Sequence, residues 1–211
     1  YEHAKYEAEQ YVRGLMKELP IMIFRPSIIV GDSATGATTA FNVLYGPLKL
    51  ISRGLLRYVP GSSSTQLDVV PVDYFADAMY HIFFESNEQT GKTYHLTAGK
   101  ENVSTAGEIV KLALKYFDGD AAGRNTRRIR FLPVSFCHAA KGFLRSELKK
   151  LLEMMKPFEP YLCVRRIFDD TNTSTALRGT NIVPPRFEQY HETILRYCIE
   201  ANWGRQMRRA S

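Results

Sequence analysis

Residues 21–30, Ile-Met-Ile-Phe-Arg-Pro-Ser-Ile-Ile-Val, form an almost unbroken apolar run of strand length. A half-exposed strand alternates apolar and polar side chains, because its two faces meet different surroundings. A run this uniform suits a strand covered on both faces, the environment of a parallel sheet with helices above and below. Pro20 separates it from the preceding segment, and the loop Gly31-Asp32-Ser33-Ala34-Thr35-Gly36 ends it. Arg25, Pro26 and Ser27 interrupt it in the middle.

The segment before the run has a helical period. Tyr1, Ala4, Ala8, Tyr11, Val12, Leu15, Met16 and Leu19 recur at helical spacing, with Pro20 as the expected stop. Tyr1 and Lys5 lie four residues apart, so a helix brings them to one face, one turn from each other. An ammonium near a phenol favours the phenolate and lowers its pKa from about 10 toward the working range of a proton donor. Tyr1 is therefore a candidate acid and Lys5 its electrostatic partner. The same spacing also occurs on ordinary solvated helix faces, so the pair takes its meaning from what surrounds it.

Further along, residues 40–54 read as a helix interrupted at Gly46-Pro47. Residues 66–70 read as a strand, and Asp73 is placed to cap a helix running to about Phe84. After a turn at Gly91, residues 92–97 alternate as a strand does, and Ser104 precedes an amphipathic helix with Ile109, Leu112, Ala113, Tyr116 and Phe117 on one stripe. Residues 118–125 turn to Asp, Gly, Ala and Asn, which makes them the internal boundary. Beyond it the pattern predicts a strand over 128–134, a helix over 135–156 broken at Pro157 and Pro160, and a last helix ending at Ile199. The chain thus divides into residues 1–117 and a mainly helical extension, 118–211.

The bulk properties agree with a folded domain. The 211 residues are 45% hydrophobic and 24% charged, ordinary values for a globular chain with a sizeable core, and no apolar run approaches the roughly 20 residues of a membrane span. Cys137, Cys163 and Cys198 are far apart and read as reduced thiols of a cytoplasmic protein. The net charge of +6 is concentrated after residue 100, in Arg124, Arg127, Arg128, Arg130, Arg165, Arg166, Arg205, Arg208 and Arg209. Such arginines make either a solvated basic surface or a patch for phosphates of a coenzyme or carrier arm, and no nucleic-acid-binding signature accompanies them.

Three other patterns carry less. Gly31-x-x-x-x-Gly36-Ala-Thr has phosphate-loop spacing, but alanine stands where that loop needs lysine. Glu188-x-x-His191 is half of a carboxylate-bridged metal site, and a single copy is expected on an exposed helix face with no metal. Asp32, Ser33 and His95 lack the Gly-x-Ser-x-Gly elbow of a hydrolase.

The order of the motifs is more specific than any one of them. Tyr1-x-x-x-Lys5, then Phe24-Arg25-Pro26-Ser27-Ile28-Ile29-Val30-Gly31-Asp32-Ser33-x-Thr35-Gly36, then Val70-Pro71-Val72-Asp73-Tyr74-x-Ala76-Asp77-Ala78, resembles the extended short-chain dehydrogenases/reductases over about residues 1–117. Within them the chain is most similar to the branch of thioester reductase domains and fatty acyl reductases of the male sterility type. The resemblance implies the C-terminal part of a doubly wound Rossmann-type α/β sheet with a mainly helical extension. It implies NADPH or NADH as cofactor, NADPH by family habit, and an acyl-CoA or acyl carrier protein thioester as substrate. It gives Tyr1 the role of acid/base and Lys5 the ribose hydroxyls. Pro26, Ser27 and Ile28, following the sixth strand of the sheet, would lie against the nicotinamide, with Arg25 structural. Phe41, Leu44 and Tyr45 are candidates for an acyl pocket and serve equally well as core.

The family's Gly-rich pyrophosphate turn, its ribose selector and its assisting Ser/Thr do not occur in these residues. The chain therefore reads as a fragment of a longer enzyme, or a truncated relative, expected to be inactive alone. A homodimer stays open, because an unpaired sheet edge invites association. Two rival readings stand beside the reductase. One is a sugar-nucleotide epimerase/dehydratase or hydroxysteroid dehydrogenase of the same superfamily, and the other a noncatalytic module that binds an acyl chain or partner.

Overall fold

The computed structural model describes residues 2–41, 43–86, 90–119, 128–133 and 168–204. Tyr1, the expected helix over 135–156, Cys137 and Cys163 lie outside the described residues.

The long apolar run becomes two short strands in line, β1 (Ile23–Pro26) and β2 (Ile28–Val30). β1 runs parallel to β6 (Thr93–Leu96), with Arg25 opposite His95, and β2 runs parallel to β5 (Val69–Pro71). The change of partner falls at Ser27. Its N–H donates to Leu96 O at 3.1 Å, and the next N–H, of Ile28, donates to Asp68 O at 3.1 Å. The segment 26–28 was expected to follow the strand; instead it is the joint inside it. Backbone donors on either side of the joint are satisfied by different neighbours, so the chain stays extended through the proline.

Alternation across these strands feeds two cores. Ile28, Val30 and Val69 face one cluster, while Phe24, Ile29 and Val70 face the other. Coverage on both faces is reached only along β2, which ends in the buried Val30; Arg25 and Pro26 of β1 are exposed, so the first half of the run is less enclosed than its uniform composition predicts. The larger cluster is built by α2 (Tyr45–Ser52), α5 (Ala106–Asp118) and α7 (Phe187–Glu200), through Tyr45, Leu48, Ile51, Ile109, Ile194 and Leu195. The second holds Tyr74, Ala78 and Ile82 of α3 (Val72–Tyr80) and its π-helical continuation to Glu85, with Tyr94 and Leu96 of β6. Two further pairs complete the described strands: β3 (Tyr58–Pro60) parallel to β8 (Arg130–Leu132), and β4 (Gln66–Leu67) antiparallel to β7 (Ser104–Thr105). A short turn of helix, α4 (Gly99–Asn102), precedes β7, and α6 (Thr171–Ala176) lies along β6. The larger core is continuous across residue 118, since α7 packs on α5 and β8 pairs with β3.

Several local readings change. α1 spans Glu2–Leu15 and ends in a turn well before Pro20. Its expected apolar stripe is largely outside the core: Tyr11 is 73% and Leu19 52% exposed, and Val12, Leu15 and Met16 are only half-buried. Gly46 and Pro47 do not interrupt a helix; they lie in the first turn of α2, where a proline sacrifices no intrahelical hydrogen bond. The α5 cap is Thr105 rather than Ser104, in a reciprocal box with Glu108. Asp73 caps nothing. Its carboxylate instead accepts the Ser33 N–H at 3.0 Å and the Ser33 hydroxyl at 2.5 Å, tying the loop after β2 to α3.

Candidate active site

α1 lies over the β1–β6 pair and encloses with it an open cleft of about 810 Å³. Lys5 and Glu9 line it from α1, Arg25 and Pro26 from β1, and His95 and Thr97 from the end of β6. Ala8, Val12 and Phe168 supply apolar wall. Pro26 and Thr97 stand at the carboxyl ends of parallel strands, where doubly wound sheets receive ligands. The Thr97 hydroxyl is buried, in a residue 3% exposed, and has no hydrogen-bond partner among the described residues. An unanswered polar group at that end suits a ligand-binding edge.

The cleft is dominated by charge. The Glu9 carboxylate receives Arg25 through two bonds, Nη2 at 2.6 Å and Nε at 2.9 Å, and Arg13 Nε at 2.7 Å. Arg25, then Arg13, hold the Glu9 carboxyl below its ordinary value, against burial, which acts upward. A carboxyl with a lowered pKa stabilises the fold in full above its unfolded value and loses that contribution as pH falls through the folded one. Both arginines are partly exposed, so the expected cost of Glu9→Gln at neutral pH is about 1 kcal/mol. Below about pH 5 the variant should lose stability with acid less steeply than the parent, as read by urea unfolding at successive pH values. Equal slopes would remove Glu9 from the acid-sensitive set.

Of the residues singled out in the sequence, Lys5 and Pro26 share the cleft, and Tyr1 lies outside the described residues. Ser27 is turned away from the cleft toward Asp68. Its buried hydroxyl opposes the upward shift that burial imposes on that carboxyl, yet it makes no well-formed hydrogen bond. Ile28 packs on the larger core. Phe41, Leu44 and Tyr45 are gathered there too. The Tyr45 hydroxyl accepts the Gly31 N–H at 2.8 Å, and Phe41 meets Tyr45 edge-on and stacks on Tyr197.

Burial pushes the phenols of Tyr45 and Tyr74 up to about 12, and that of Tyr190 further, the opposite of what a proton donor beside a lysine requires. Burial also pushes the Cys198 thiol up to about 12, which leaves it inert. His191 is buried rather than exposed, with Nδ1 on Glu188 O, and no cluster of metal-ligating side chains occurs among the described residues.

Glu9, Arg13 and Thr97 escaped the sequence reading, and His95 appeared in it only in a rejected hydrolase set. Glu9 and Arg13 were detectable, since they continue the four-residue spacing of Tyr1 and Lys5 along one helix. His95 and Thr97 enter only through the pairing of β6 with β1.

The parallel pairs, the paired cores and a ligand cleft at the strand ends define the class: a doubly wound α/β dinucleotide-binding fold. Comparison with known proteins shows what the chain is similar to. Residues 1–79 match the NAD-binding family described as male sterility protein. The chain is 24% identical to the probable fatty acyl-CoA reductase 5 of Arabidopsis thaliana, over 83% of its own length and 43% of that protein. Its fold superposes on the terminal R domain of the myxalamid PKS-NRPS biosynthetic pathway with a TM-score of 0.69 and 27% identity, covering 96% of this chain and 50% of that one. A dTDP-glucose 4,6-dehydratase from Bacillus anthracis shares the fold alone, at 14% identity and a TM-score of 0.62 over 96% of this chain and 53% of that one. These likenesses support a relation to the thioester and fatty acyl reductase branch of the extended short-chain dehydrogenases/reductases. It spans about half the length of the first curated relatives it matches, 43% and 52%. No described helix is long and apolar enough to cross a membrane.

Proposed function

We propose that the protein carrying this chain reduces an acyl thioester, or the aldehyde derived from it, with a nicotinamide dinucleotide, NADPH in preference to NADH. The observation that carries this reading is the common cleft of Lys5 and Pro26 at the carboxyl ends of β1 and β6. Relatives described as fatty acyl-CoA and aldehyde reductases support the substrate class.

Reduced nicotinamide, when bound, supplies the hydride. The chain's own residues manage charge and protons. As the carbonyl carbon gains hydride its oxygen becomes negative, and a phenol at that oxygen offsets the charge by giving up its proton. Tyr1 is that phenol. Lys5, one turn on, makes the resulting phenolate less costly and engages the ribose hydroxyls. Pro26, without an N–H, would offer the nicotinamide an apolar wall, and the Thr97 hydroxyl would be available to a polar group of the ligand. Loss of the thiol from the reduced thioester gives the aldehyde, and a second reduction gives the alcohol. The acyl group arrives on coenzyme A or on an acyl carrier protein. A reduced thiol in the core, Cys198, fits a cytoplasmic setting.

The test is a product assay on the protein with its native flanking sequence. Acyl-CoA and NADPH are expected to give aldehyde or alcohol with matching loss of NADPH. An inert acyl-CoA, with turnover of a nucleotide sugar instead, would overturn the proposal in favour of an epimerase or dehydratase.

A further inference from the structure

The polar contacts beneath α1 have a consequence beyond holding one helix in place. No described side chain of α1 is buried; Glu9, Val12 and Leu15 are half-buried and the rest are exposed. A helix with so little apolar cover is held by whatever polar contacts it makes. Three of those contacts converge on one carboxylate. Arg25 of β1 grips Glu9 with a two-pronged fork at 2.6 and 2.9 Å. Arg13 joins the same carboxylate at 2.7 Å and reaches β6 through Thr93 Oγ1 at 2.8 Å. The helix is therefore pinned to both strands of the pair. A forked guanidinium–carboxylate contact restricts angle as well as distance.

The fork is itself set from behind. Arg25 Nη1 lies 3.3 Å from His95 Nε2, and His95 Nδ1 lies 2.7 Å from Asp169 O. A carbonyl only accepts and a guanidinium only donates, so Nδ1 carries the proton and Nε2 offers its lone pair. The neutral imidazole satisfies both contacts at once, and Phe168 packs on its ring. Through His95, the downstream segment at 168–169 fixes the direction in which Arg25 reaches for α1.

Glu9 is four residues past Lys5, one helical turn, about 6 Å along the axis and on the same face. Both line the cleft. Holding Glu9 therefore sets the rotation and height of Lys5. We infer that the Arg25–Glu9 pair, braced by His95, orients α1, so that Arg25 and Glu9 are positioning residues for Lys5 and Tyr1. This rests on the proposed reading of α1 as the acid-bearing helix.

Two measurements test it with Glu9→Gln and Arg25→Lys, the latter retaining charge but not the fork. In the 211-residue chain, amide hydrogen exchange of α1 should quicken by about tenfold or more, while β2, β5 and α7 keep their protection. Unchanged exchange in α1, or an equal loss throughout, overturns the inference. In the protein with its native flanks, kcat should fall by about 10- to 100-fold, with KM for the acyl substrate within about twofold. The limb of the pH–rate profile that reports the acid should also move. A pair that only supports the fold would lower the melting temperature and leave that profile in place, which would also overturn the positioning role. Tyr1→Phe separates the two ideas: if it retains activity, the reading of the helix is at fault, whatever Glu9 and Arg25 do.

Discussion

Replacing Tyr1 with Phe in the protein with its native flanks is expected to cut turnover by about 10²- to 10⁴-fold, the range for losing a positioned acid. Cofactor binding should stay within about twofold, because the phenol hydroxyl matters chiefly as oxygen gains charge. The ring keeps its shape and the helix its propensity, so only the proton is removed. The neighbouring change, Lys5→Met, should act differently, weakening cofactor binding and turnover together, because in the proposed mechanism the lysine serves both ribose and phenolate. Kinetics on the two variants, with cofactor titration by fluorescence, separates these outcomes. Activity retained in Tyr1→Phe would remove the acid from this helix, and with it the reason for placing the chemistry in the Lys5–Pro26 cleft.

The second large effect is on stability. Gly36 closes the loop after β2 with φ at +77°, its N–H donating to Asp32 O at 2.7 Å. A Cβ there would stand 2.5 Å from Thr193 O and 2.7 Å from Tyr197 Cβ, both on α7. Gly36→Ala thus forces an unfavourable backbone conformation and drives α7 outward from the larger core. The left-handed conformation and the overpacking together should cost about 2–5 kcal/mol. For a chain of this size that is a fall of about 5–15 °C in melting temperature, measurable by circular dichroism. A shift below about 2 °C would mean that α7 yields freely and that the loop–helix contact is soft. The same crowding holds on the strand side, where a Cβ at Gly31 would lie 2.3 Å from Gly36 O. Close backbone approach, not turn chemistry alone, requires glycine at both ends of this loop.

The elements legible in the linear pattern were those whose signal is local. The uniform run at 21–30 declared a strand, and its β2 half packs on both cores, while Arg25 and Pro26 of β1 are exposed at the cleft. The stripe of Ile109 and Ala113 declared α5, and the last helix, expected to end at Ile199, is α7; Ile109, Ala113, Tyr190, Ile194, Leu195 and Cys198 are core. α1 misled because apolar spacing reports that a helix is amphipathic, not that a surface exists to receive it. Tyr11 recurs with the stripe and is exposed. Asp73 misled because its position before a helix is right for a cap, while Ser33, 40 residues away in sequence, offers two donors.

The candidate site divides along the same line. Tyr1-x-x-x-Lys5 and Arg25-Pro26-Ser27 could be read in order along the chain, because a helix repeats every turn and a strand every second residue, whatever lies beyond them. Which of these face a common cleft could not be read that way. Ser27 and Ile28 adjoin Pro26 in sequence, yet one turns to Asp68 and the other to the larger core, since successive side chains of an extended chain point oppositely. His95 meets Arg25 only because β6 pairs with β1 in that register, and Arg25 meets Glu9 only because α1 lies over that pair. Register and packing are contacts between distant segments, won by burying both faces of the sheet at once. No single segment carries them.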